Sequence, residues 1–163
     1  MKNLILYSTK YGSVGKTASM LAEKLVGDTD IRNINDGAPG LDNYDTIILG
    51  GSIYVGKIQN EIKFYMDDNL DKLLAKNIGL FVNAGEPDES EMKKQFENSF
   101  PKELLDKAIA IDVFGHAVDI TKVTFIEKIL LRLLKKIKDS YSDFFEDKIN
   151  KFADKINSAG PHQ

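Results

Sequence analysis

Apolar positions along the chain fall into short unbroken runs separated by helical periodicities. Runs at Lys2–Ser8, Asp30–Ile34, Thr46–Gly50, Ile78–Asn83 and Ile109–Phe114 read as five strands. Three of them, "LILY", "TIILGG" and "IGLFVN", do not alternate, as expected for strands covered by helices on both faces of a parallel sheet. Helical spacing appears over Val14–Val26, Gln59–Leu74 and Glu89–Asn98, and after the fifth strand over Thr124–Lys138 and Tyr141–Ile156. An alternating β and α chain of this kind predicts a doubly wound α/β fold with one parallel sheet. One domain is expected over 1–158, with 159–163 as a disordered tail.

Turn-forming clusters lie where strands two and four end, at Asn35–Gly40 and Glu86–Ser90. With the turn after strand one, these loops gather at the carboxyl edge of the sheet, where open α/β sheets take their ligands.

Composition removes several chemistries. The chain has 163 residues, a net charge of -3, no cysteine and two histidines. Without cysteine there is no disulfide, thiolate nucleophile or thiolate metal site. A mildly acidic chain has no general attraction for nucleic acid, so no nucleic-acid partner is expected. The N-terminus enters a strand directly, and no apolar run is long enough to span a bilayer, which predicts a cytoplasmic protein.

The turn after strand one, "STKYGSVGKTA", holds Thr9, Lys10, Tyr11, Gly12 and Ser13, and its helix starts near Val14. Helix N-termini carry unpaired N–H groups and partial positive charge, so a hydroxyl-rich turn at that point suits an anion. Ser13 as a plain cap and Gly12 as a plain turn residue would account for the same letters. A P-loop needs four residues between its first glycine and the Gly-Lys pair, whereas Gly12 and Gly15 are separated by two. A dinucleotide fingerprint needs a third glycine. A single phosphate, as in a mononucleotide, is what remains.

These residues carry a family resemblance. "YSTKYGSVGKTA" is similar to the phosphate loop of the flavodoxins through Thr9, Gly12, Ser13 and Ala18. Val14 stands where that family usually has Thr, leaving Lys10 or Thr17 to replace a hydroxyl contact. "GGSIYVGK" resembles the flavin-flanking loop, with Ser52, Ile53, Tyr54, Val55 and Gly56 around the ring and small residues admitting the backbone to it. Tyr54 is the implied stacking residue, and Gly56 the peptide that can turn toward the flavin N5. "NAGEPDES" sits where such proteins wrap the other side of the flavin, with Asn83, Ala84 and Gly85 as candidate contacts to the pyrimidine carbonyls. The resemblance implies FMN as cofactor and a five-stranded sheet of order 2-1-3-4-5 in a three-layer sandwich. The flavin would supply the redox chemistry, so no catalytic residue is expected.

The segment Thr121–Lys138, "TKVTFIEKILLRLLKKIK", places Ile126, Ile129, Leu130, Leu133 and Ile137 on one stripe, and six basic residues stand against the single acid Glu127. It reads either as a helix packed on the sheet with solvated lysines, or, since Phe125, Leu131 and Leu134 widen the stripe, as a second apolar surface for a membrane or a greasy substrate. With Gly51, Ser52, Ile53 and Gly56 it resembles the menaquinone-dependent protoporphyrinogen oxidase group of flavodoxin-like proteins, whose members act in heme biosynthesis. That implies an FMN-dependent oxidoreductase passing electrons to a quinone-like molecule. The alternative is a carrier flavodoxin shuttling electrons between redox proteins. His116 reads as a surface-loop histidine or, secondarily, a group for proton delivery or substrate contact, and His162 lies in the tail.

Overall fold

A computed structural model of the chain describes residues 1–54, 56–85, 88–118 and 141–160. Five parallel strands, β1 (Lys2–Ser8), β2 (Asp28–Asn33), β3 (Thr46–Ser52), β4 (Asn77–Asn83) and β5 (Ala110–Val113), lie in the order β2-β1-β3-β4-β5. This is the doubly wound α/β sheet that the apolar runs predict. Central β1, β3 and β4 are buried almost throughout, whereas edge strand β2, "DTDIRN", is half-exposed and polar.

Alternation along the strands divides the core in two. Leu4, Leu6, Ile47, Leu49, Leu80 and Val82 face one side, where they meet Ile62 and Met66 of α2 (Asn60–Asp68) and Leu73 of α3 (Leu70–Leu74). Phe96 of α4 (Glu89–Ser99) and Leu104 of α5 (Lys102–Lys107) complete that layer. Ile5, Ile48 and Phe81 face the other side, against Val14, Ala18 and Leu21 of α1 (Ser13–Ala22) and Ile149, Phe152 and Ile156 of α6 (Glu146–Ser158). Phe81, Phe114 and Phe152 form a ladder with successive ring centroids 5.1 Å apart.

Several elements depart from the pattern-based reading. The helix expected over Gln59–Leu74 is broken at Asn69, whose N–H and side-chain amide both donate to the Tyr65 carbonyl and close α2. α1 stops at Ala22, not Val26, and Val26 is instead turned outward, its N–H donating to Asn157 Oδ1. α5 was not expected: Pro101 precedes it and Leu104 anchors it. The expected helix Tyr141–Ile156 starts only at Glu146, because Tyr141–Phe144 (β7) pairs antiparallel with Gly115–Val118 (β6), giving a separate two-stranded ribbon and seven strands in all among the described residues. The helix expected over Thr124–Lys138 lies outside the described residues. Asn77 Nδ2 donates to the Gly160 carbonyl at 2.9 Å. No helix among the described residues is long and apolar enough to cross a membrane.

Register brings the loop-bearing strand ends together. Ser8 is level with Gly51, and Ser52 with Asn83, so the loops after β1, β3 and β4 leave the sheet at one height. Between β1 and β3 the chain order reverses, which opens a crevice there.

Candidate functional site

The turn after β1 is shaped by its own backbone. Gly12 has φ +87°, a left-handed conformation that suits glycine, and its N–H donates to the Thr9 hydroxyl at 2.9 Å. α1 then begins with no side-chain cap and no acid in its first turn. Its leading N–H groups and positive dipole end are thus offered to an anion from outside.

Val14 is fully buried in the cluster that holds Ile5 and Ala18, so its side chain belongs to the core. Its apolar side chain is explained by the core beneath it. Ser13 and Thr17 are buried as well, and Thr17 Oγ1 donates to the Ser13 carbonyl at 3.3 Å. Gly15 serves packing: a Cβ there would stand 3.0 Å from the hydroxyl of Tyr7. Burial, and then the negative charge of Asp36, raise that hydroxyl's pKa above the ordinary tyrosine value.

The loop after β3 is a closed turn. Tyr54 N–H donates to Lys57 O at 2.9 Å and Lys57 N–H returns to Tyr54 O at 3.2 Å, with Gly56 at φ +75° inside. Tyr54 is 42% exposed and Lys10 Nζ lies 4.1 Å from its ring centroid, and 5.2 Å from that of Tyr11. A cation held over one ring and near another ties the first loop to the second.

The glycine pair before this loop is required by packing. A Cβ at Gly50 would stand 2.1 Å from Phe81 Cζ, and one at Gly51 would stand 2.5 Å from Ile58 Cγ1. In the Cβ direction the space is filled by the protein itself, which gives both glycines a packing reason. Ile53 and Ala84 are likewise packed against the α2–α5 side of the core.

A cavity of about 400 Å³ opens beside the crevice. Of the expected residues it is lined by Thr9, Lys10 and Tyr54; Ser8, Asn35, Lys57, Ile58, Gln59, Asn60 and Glu61 were not foreseen. Ser8 is the one with a sequence signal, a hydroxyl closing an apolar strand. It is 1% exposed, and its Oγ has no hydrogen-bond partner among the described residues. In the lining of this cavity, on the side of the sheet that carries α2, a buried hydroxyl without a partner among the described residues and the Lys10 ammonium fit an oxyanion of the phosphate type.

The third loop stands apart from this cavity. Asn83 turns inward, its Nδ2 donating to Thr17 Oγ1 at 2.7 Å, while its Oδ1 has no partner among the described residues. Gly85 is exposed, and Asp88 caps α4 by accepting from Glu91 N–H at 2.8 Å. Val55, and the side chain of His116, lie outside the described residues.

The family model for the flavodoxin domain matches residues 4–144. An uncharacterized protein of Methanocaldococcus jannaschii is 38% identical over 109 residues, covering 66% of this chain, and this chain spans 65% of that relative's length. Among solved structures, a short-chain flavodoxin associated with a non-canonical PDU bacterial microcompartment superposes with a TM-score of 0.63 at 14% identity, covering 98% of each chain. A Fusobacterium nucleatum flavodoxin bound to flavin mononucleotide gives 0.52 at 14% identity, covering 97% of this chain and 98% of that one. At such identities the structural likeness establishes the shared fold.

Proposed function

Because the chain belongs to the flavodoxin domain family, we propose that it holds FMN at the carboxyl edge of its sheet and exchanges electrons through it with a redox partner. The observation that carries this reading is the start of α1, which has no side-chain cap and no acid in its first turn; the buried Ser8 hydroxyl, without a partner among the described residues, and Lys10 line the cavity. Thr9, Lys10, Tyr11, Gly12, Ser13 and the Val14 N–H are assigned to the phosphate. Ser52, Ile53, Tyr54, Val55 and Gly56 are assigned to one side of the ring, with Tyr54 as the stacking residue. Asn83, Ala84 and Gly85 are assigned to its other side, through backbone groups in the case of Ala84, as also for Ile53. Bound FMN supplies the redox chemistry, so these residues bind, orient and shield without acting as acid, base or nucleophile.

The nature of the partner divides two finer readings. Exposed Phe64 on α2, with Glu61 one turn before it and Asp67 and Asp68 one turn after, favours a carrier that docks on a basic redox protein. A quinone-like acceptor, with peripheral membrane contact through Thr121–Lys138 in a cytoplasmic protein, rests on the protoporphyrinogen oxidase resemblance of a segment outside the described residues.

Titration of the purified protein with FMN, riboflavin and FAD tests the central reading. FMN should bind far more tightly than the other two, and Gly12→Val, which forces a β-branched residue to φ +87°, should abolish binding. No spectral change on adding FMN would overturn it. Anaerobic reduction followed by a menaquinone analogue separates the finer readings, since rapid reoxidation marks the quinone reductase and slow reoxidation the carrier.

A further inference from the structure

At the end of β3 the sheet loses a neighbour. β1 is level with β3 only as far as Ser8 and Gly51, and the chain then departs into the Thr9–Gly12 turn. Ser52 is therefore the first β3 residue with no β1 residue beside it. The Ile53 N–H donates toward β4, to Asn83 O at 3.0 Å, and successive residues of an extended chain point their amides to opposite sides. The N–H and C=O of Ser52 consequently face the gap that β1 has left.

That gap is filled by the side-chain amide of Gln59. Ser52 N–H donates to Gln59 Oε1 at 3.2 Å, and Gln59 Nε2 donates to Ser52 O at 2.9 Å and to Ser52 Oγ at 2.7 Å. One carboxamide thus reproduces the two-bond pairing of a strand neighbour and adds a third bond to the hydroxyl. The room for it comes from Gly51, where a Cβ would stand 2.8 Å from Gln59 Oε1. Gln59 also immediately precedes α2 and lines the cavity. The segment between its two anchored residues, Ser52 and Gln59, carries Tyr54.

We propose that Gln59 is a positioning residue of the site: its amide stands in for the missing strand beside Ser52, and so sets the loop that presents Tyr54 to the bound ring. The inference rests on the FMN reading above. In this role Gln59 acts through the backbone of Ser52 and the closed Tyr54–Lys57 turn. With the clamp intact the loop is held on both flanks, by Asn83 O on one and Gln59 on the other. Without it, one flank is open and the ring of Tyr54 is no longer fixed relative to Lys10.

Gln59→Glu is the discriminating variant. It keeps the size of the side chain and an acceptor for Ser52 N–H, but sets a charged oxygen against Ser52 O, which loses its donor, while the Ser52 hydroxyl can only keep its bond by turning to donate. The expected results are FMN binding weaker by about tenfold, the scale of one or two lost hydrogen bonds, a shifted flavin midpoint potential, and faster amide hydrogen exchange at Ser52, Tyr54 and Lys57 in the protein without FMN. Gln59→Leu should do the same more strongly. Ser52→Ala, which removes only the hydroxyl bond, should act in the same direction with a smaller effect, and it carries the test if Gln59→Leu does not fold. FMN affinity and midpoint potential equal to wild type in Gln59→Glu would overturn the proposal while leaving the FMN reading standing. If the wild-type protein takes up no FMN, that reading fails, and exchange alone decides the clamp: unchanged rates at Ser52, Tyr54 and Lys57 would overturn it too.

Discussion

The carboxamide of Asn83, the last residue of β4, donates to the Thr17 hydroxyl inside α1 at 2.7 Å, and both side chains are closed off from solvent. Thr17 passes the connection on to the Ser13 carbonyl, at the first residue of the helix. The root of the third loop and the start of the first helix are thereby held by one buried chain of hydrogen bonds. Thr17→Val keeps the shape but strands the Asn83 amide in the core. Urea unfolding should show a loss of about 1–3 kcal/mol, and Thr17→Ser should recover most of it.

Val14→Thr tests how the phosphate turn is built. If this position offers only its N–H, the added hydroxyl enters the cluster with Ile5 and Ala18 and finds apolar surroundings. Stability should fall by about 1–2 kcal/mol, with FMN affinity no higher than wild type. A clear gain in affinity would mean that the threonine hydroxyl turns outward to the ligand.

At Gly50 the crowding is internal. Gly50→Ala places a methyl 2.1 Å from the end of the Phe81 ring, which stacks on Phe114. The cost should be at least about 1–3 kcal/mol. Phe81→Leu, itself destabilising, should cost less in the alanine background than alone, a coupling readable from a double-mutant cycle.

Tyr44 and Asp30 give a pH-dependent prediction. The Tyr44 hydroxyl donates to Asp30 Oδ2 at 2.6 Å and is the main cause holding that carboxyl below the ordinary aspartate value, with Lys2 and Arg32 adding to it. A lowered native pKa means stability that is present above the unfolded aspartate range and lost as pH falls through the native value. Tyr44→Phe should move the Asp30 carboxyl titration, followed by NMR, upward, and should flatten the acid limb of the stability curve.

Much of the sheet was legible because β1, β3 and β4 are apolar on both faces, a pattern few other environments produce. The break at Asn69 was not, since it depends on one side chain competing for the Tyr65 carbonyl within an otherwise continuous helical pattern. Tyr141–Phe144 escaped because its four residues are extended by pairing with Gly115–Val118, a partner far away in sequence. Within the site, Gly12 could be read from the turn it must make. Gly50 and Gly51 could not, because what fills their missing side chains, Phe81, Ile58 and Gln59, is fixed only once the strands and α2 have packed. Gln59 was invisible for the same reason: nothing in its local sequence distinguishes a glutamine before a helix from one that substitutes for a strand.

The ribbon of β6 and β7 sets Val118 directly across from Tyr141. The chain between them therefore leaves and rejoins the fold at a single doorway, and a two-residue turn such as Asn-Gly is all that an antiparallel pair needs to bridge it. The interval 119–140 is in that sense a cassette.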